Sequence, residues 1–162
     1  MDTELDRLFQ SLKSVENFEH RYGKVIRDAM DYVIDGERMG RTRLAEAEKA
    51  EKTIFGMKVE AYLRHEFGWP KGKSLDFYWV EIEFDSKATI GKTWMIPPEA
   101  IGKLCLLTRI NEDDHFFQAG LLRTNLDRLT KGSNQDKKRS VSALGKKSIK
   151  WLIPSGHIPE TR

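Results

Sequence analysis

The stretch DFYWVEIEFDSK, Asp76 to Lys87, decides how this chain is read. Val80, Ile82 and Phe84 alternate with Glu81, Glu83, Asp85 and Lys87, the period-two pattern of a strand buried on one face. Asp76 and Asp85 lie nine positions apart. In one straight strand that is about 30 Å, at roughly 3.3 Å per residue. Two carboxylates that share a small cation must instead lie a few ångströms apart. If they act together, the chain folds back near Tyr78 to Glu81 and the stretch is two short strands. No Asn-Gly or other glycine marks that reversal, although tight hairpins favour them. In this arrangement Val80, Ile82 and Phe84 pack on the core, and Glu81 and Glu83 are bystanders.

Parity adds a second constraint. Asp85 and Lys87 are two residues apart and project from the same face. Ser86, between them, offers its peptide carbonyl as a further hard oxygen. An acid that holds a metal beside an ammonium suits phosphodiester hydrolysis. The metal polarises the phosphate and activates a water, and the lysine positions or deprotonates that water and offsets developing charge.

The surrounding chain predicts an α/β fold, a mixed sheet flanked by helices. Leu5, Leu8, Phe9, Leu12, Val15 and Phe18 recur at helical spacing, as do Val25, Ile26, Ala29, Met30, Val33 and Ile34, with Gly36 as a stop. Residues 44–67 read as helix broken near Gly56, and residues 68–74 as a loop. Met95 to Ala100 reads as a helix start, because proline tolerates a first turn. Residues 103–110 and 115–123 read as strands joined by the acidic turn NEDD. Ser140 is expected to cap a last helix through Leu152, followed by a proline-containing tail. With 162 residues, one domain is expected: 1–67 mostly helical, 75–152 the sheet core, 153–162 a tail.

Several function classes drop out. No apolar run approaches the roughly 20 residues of a membrane span. The acidic, amphipathic N-terminus is not a secretory signal, and the lone Cys105 in an apolar run reads as a packing thiol, which suggests the cytoplasm. No GxxxxGK[ST] or glycine-rich strand-to-helix turn appears, so no nucleotide cofactor is expected. His20, His65, His115 and His157 lack zinc-ligand spacing.

The text around the acidic stretch is more specific. Asp76…Asp85-Ser86-Lys87 resembles the PD-(D/E)xK nuclease signature. WMIPPEAIGKLCLL (94–107), AGLLR (119–123) and KGSNQDKKRSVSALGKKSIKWL (131–152) resemble the endonuclease part of NaeI-type type II restriction enzymes. The resemblance runs from about Glu60 to Leu152 and more loosely through the preceding helices. It implies a restriction-endonuclease-like core, a catalytic set of Glu60, Asp76, Asp85 and Lys87, and Mg2+ (with Mn2+ as a substitute) held by Asp76, Asp85, the Ser86 carbonyl and Glu60. Ser86 stands where the family has cysteine. Family members also carry a C-terminal, helix-turn-helix-like domain that binds a second DNA copy, and dependence on such an effector is not carried over here.

Charge distribution points the same way. From Lys131 to Lys150 seven lysines and arginines face one acid, a positive patch on a chain of net charge +3. Lys137, Lys138 and Arg139 are candidates for phosphate contacts, and Asn134, Gln135, Asp136 and Arg139 for base edges. Lys92 and Thr93 follow the catalytic stretch, and Arg41 and Arg43 form a further basic cluster. Aromatics do not interleave with these residues as in single-strand or RNA readers, so double-stranded DNA is the expected partner. Cutting both strands of a symmetric site implies a homodimer on a palindrome, GC-rich by resemblance. A strand-nicking repair nuclease and a non-catalytic DNA-binding protein on the same fold are the alternatives.

Overall fold

The computed structural model describes residues 1–132 and 137–161. Two amphipathic helices open the chain, α1 (Thr3–Lys13) and α2 (Phe18–Ile34). Asp2 caps α1 by accepting the Leu5 N–H, so an acid meets the positive helix end. The stop of α2 is Asp35 in the left-handed conformation (φ 45°), one residue before the expected Gly36, which opens a four-residue helix, α3 (Gly36–Met39). After a 3-10 turn at Leu44–Glu46, α4 (Lys49–Phe67) runs unbroken through Gly56. A single glycine costs a helix only about 1 kcal/mol against alanine. Packing of Phe55, Val59 and Leu63 into the core on either side of it outweighs that cost.

The sheet follows. Strands β1 (Phe77–Trp79), β2 (Ile82–Thr89), β4 (Leu104–Asn111), β5 (Phe116–Arg123) and β7 (Lys150–His157) form one five-stranded sheet in the order β1-β2-β4-β5-β7. Strands β2 and β4 are parallel, and the other neighbours are antiparallel. Strands β3 (Met95–Ile96) and β6 (Arg139–Ser140) make a separate two-stranded ribbon.

Three expectations are corrected here. Pro98–Ala100 makes only a 3-10 turn rather than an α-helix. Ser140 lies in β6, and the last helix, α5 (Ala143–Lys147), is five residues long with Ser142 as its cap. The supposed tail is an edge strand, β7. Pro154 is tolerated there because an edge position leaves one side of the backbone without a partner and the pairing with β5 is bulged near Ala119.

The sheet separates two cores. Phe84, Leu104, Leu106 and Leu121 face the larger one, beneath α1, α2 and α4. Cys105, Leu107 and Leu122 face a smaller one with Trp94, Ile96, Ala100, Leu129, Val141 and Ile149. Asp85 and Lys87 pair with Cys105 and Leu107, so their side chains leave β2 on the smaller core's side. Among the described residues no helix is long and apolar enough to cross a membrane.

Candidate active site

The reversal within residues 76–87 is real and tight. Phe77 pairs with Phe84 and Trp79 with Ile82, which leaves Val80 and Glu81 as a two-residue turn. Both have positive φ, 47° and 64°, the left-handed pair that a right-twisted hairpin needs. Val80 therefore sits in the turn, half-buried against the core, not in the alternating strand. A β-branched residue in that region is rare and strained. The edge-on and tilted packing of Phe77, Phe84 and Trp69 beneath the hairpin holds it in place.

This reversal sets Asp76 opposite Asp85. The Asp76 N–H donates to Asp85 Oδ1 at 3.2 Å, and the Ser86 N–H donates to Asp76 Oδ2 at 2.9 Å. Lys87 Nζ lies 3.0 Å from Asp85 Oδ2. Asp85 is only 6% exposed, so few waters share these charges. Burial and a hydrogen bond shared with Asp85 push the Asp76 carboxyl up to about 7. Burial pulls Asp85 the same way, but its bond with Asp76 and the Lys87 ammonium outweigh it and hold Asp85 below the usual carboxylate range. Lys87 is kept above the ordinary lysine value, because Asp85 outweighs the burial that opposes it. Below about pH 7 the pair thus holds one proton between two acids, as like charges in contact do. Beside them burial raises the Cys105 thiol to about 12, so it stays a neutral packing group.

Glu60 stands apart. Helix α4 packs over β2 and brings Glu60 close enough for its charge to be felt at Asp76, yet its Oε2 is bonded to Arg64 at 3.0 Å. Among the described residues no three His, Cys, Asp or Glu side chains converge as a metal-binding set. The converging donors are two carboxylates and a backbone. A strand residue directs its N–H and C=O to the same side, so the Ser86 carbonyl shares the edge at which its N–H meets Asp76.

The basic residues divide. Arg41 is 8% exposed; its guanidinium donates to the Val33 and Ile34 carbonyls and pairs with Glu51. It closes the end of α2 against α4 and is withdrawn from the DNA-contact set. Arg43 pairs with Glu112 and Asp113. Thr93 Oγ1 donates to the Val141 carbonyl at 2.9 Å, while Lys92 is exposed beside it. Arg139 spans the base of the basic loop, donating to the Thr130 and Lys131 carbonyls, and Lys137 is exposed. Asn134, Gln135 and Asp136 lie outside the described residues.

The family model described as Restriction endonuclease NaeI matches residues 6–161. The chain belongs to the restriction endonuclease NaeI family. It is 31% identical over 154 residues to the type II restriction enzyme NaeI of Lentzea aerocolonigenes, covering 94% of this chain and 48% of that protein. The chain therefore spans about half the length of the curated relative it matches. The helices and the five-stranded mixed sheet are consistent with the restriction-endonuclease-like core that the family carries.

One anchoring residue was passed over in the sequence. Glu83, a bystander by strand alternation alone, accepts the N–H groups of Ser74 at 2.8 Å and Leu75 at 3.3 Å. Its place two residues before Asp85, on the same face, was the available signal.

Proposed function

We propose that this chain is a Mg2+-dependent, sequence-specific endonuclease of the restriction type, cutting double-stranded DNA at a palindromic, GC-rich site as a cytoplasmic homodimer. The observation that carries this is the convergence of Asp76, Asp85 and Lys87 through bonds of 2.9–3.2 Å. Family membership supports it by making phosphodiester hydrolysis the reaction class.

The donor chemistry fits a magnesium ion. A buried and a half-buried carboxylate that share a proton favour a further positive charge, and Mg2+ is commonly held by one or two carboxylates with waters and substrate phosphates completing its shell. Asp76, Asp85 and the Ser86 carbonyl would hold it, with Glu60 reaching it once freed from Arg64. When bound, the ion polarises the phosphate and lowers the pKa of a water. Asp85 holds the Lys87 ammonium at the site's edge. There the ammonium donates to the attacking water and offsets the charge that builds on the phosphate oxygens. The water oxygen bonds to phosphorus and gives up its proton to solvent as the phosphorus–oxygen bond to the leaving sugar breaks, and the leaving oxygen takes up a proton from solvent. Lys137, Lys92 and the basic loop supply phosphate contacts that orient the duplex.

Plasmid DNA incubated with the chain and Mg2+ tests the reading. Linear product cut at discrete positions is expected. Open circles alone would instead show a nicking enzyme, and a gel shift without cutting would show a DNA-binding protein.

A further inference from the structure

The segment that delivers Asp76 to the site, residues 70–75, lies outside the strands. Hydrogen bonds from outside the sheet ladder hold its backbone. The Pro70 carbonyl accepts the Tyr78 N–H at 2.7 Å. The Glu83 carboxylate gathers the Ser74 and Leu75 N–H groups, with the Lys73 N–H nearby. The next N–H, that of Asp76, goes to Asp85. Glu83 and Asp85 are alternate residues on one face of β2, so successive acids on that face receive successive amides of the incoming chain. A side-chain ladder thus continues the pairing where the backbone ladder of β1 ends. Gly72 makes room for it: a Cβ there would lie 2.3 Å from Glu83 Oε1 and 2.8 Å from the Leu75 carbonyl oxygen.

We propose that Glu83 is a positioning residue of the candidate active site. By holding Ser74 and Leu75, with Gly72 admitting its carboxylate, it sets the register in which Asp76 faces Asp85 and Ser86. Its bearing on cation binding rests on the metal reading above; its bearing on the register does not. A mere loop anchor would matter only at the amides it touches. A positioning residue acts beyond them, on Asp76 and Ser86.

Amide hydrogen exchange by NMR and Mn2+ affinity by electron paramagnetic resonance test this on the whole chain, comparing wild type, Glu83→Gln and Glu83→Ala. Glu83→Ala is expected to speed exchange at Ser74, Leu75, Asp76 and Ser86, while Leu106 and Leu121 in the sheet stay protected. It should weaken Mn2+ binding about tenfold or more, the usual scale for removing an outer support of a metal site. Glu83→Gln keeps an acceptor oxygen and should retain most of both properties. If Glu83→Ala fails to fold, Gly72→Ala, which crowds the same carboxylate, should give the same pattern. Exchange that rises at Ser74 and Leu75 alone, with Mn2+ affinity unchanged, overturns the proposal. If wild type binds no Mn2+ but exchange at Asp76 and Ser86 still follows Glu83, the cation reading falls and the positioning role stands.

Discussion

The backbone N–H of Asp76 lies 3.2 Å from Asp85 Oδ1, nine residues on in sequence but directly across the hairpin. Binding a divalent cation here must release the proton that the pair holds. With Asp76 raised to about 7, cation affinity should climb roughly tenfold per pH unit below that value and level off above it. The sign for stability is opposite in the metal-free protein. Asp76 binds its proton more tightly folded than unfolded, so its contribution is fully present below about pH 4 and is lost as pH rises through about 7. Mn2+ titrations and thermal melts at about pH 5, 6, 7 and 8 check both slopes.

The Val80–Glu81 turn stores strain that glycine relieves. Left-handed backbone costs a residue with a Cβ about 1–2 kcal/mol, of which glycine's extra chain entropy takes back about 0.5–1. Glu81 is exposed, so Glu81→Gly should stabilise the protein by about 0.5–1 kcal/mol in urea unfolding, without loss of the Asp76–Asp85 geometry. A destabilised variant would show that Glu81 has an unseen role.

Tyr22 joins α2 to the sheet through a buried hydroxyl pair, 2.5 Å from Thr108 Oγ1. Tyr22→Phe should cost about 1–2 kcal/mol, since it strands the threonine hydroxyl away from water. Adding Thr108→Val to it should cost little more, a non-additivity that a double-mutant cycle measures.

How much of this was legible beforehand depended on what each residue had to satisfy. Strands β4 and β5 announced themselves as apolar runs on either side of an acidic turn. The hairpin at Val80–Glu81 followed from the need of two carboxylates to meet, against the turn chemistry of its own residues. Strand β7 was hidden because Pro154 marks a break everywhere except at an edge or a bulge. Arg41 read as surface charge, since nothing local shows that the end of α2 offers it two carbonyls and Glu51 a carboxylate. Parity and a fold-back were enough to bring Asp76, Asp85 and Lys87 together, while the catalytic roles expected of them came from the family resemblance. The bond from Glu60 to Arg64 depends on side-chain choice within one helix turn, which spacing allows but does not decide.

The basic loop should bind DNA through phosphates. Replacing the exposed Lys137 by alanine should weaken binding alike on cognate and unrelated duplexes, and lower the log–log salt slope by about 0.9. Fluorescence anisotropy across a salt series measures this. A loss confined to one sequence would make Lys137 a base reader instead.

The most direct test of the central claim is the single-turnover cleavage rate of Lys87→Ala with Mg2+, set beside its DNA and Mn2+ affinities. If Lys87 serves the reaction from its place 3.0 Å from Asp85, the rate should fall about a thousandfold while both affinities hold within a fewfold. A Lys87→Ala variant that cuts at the normal rate would contradict the assignment.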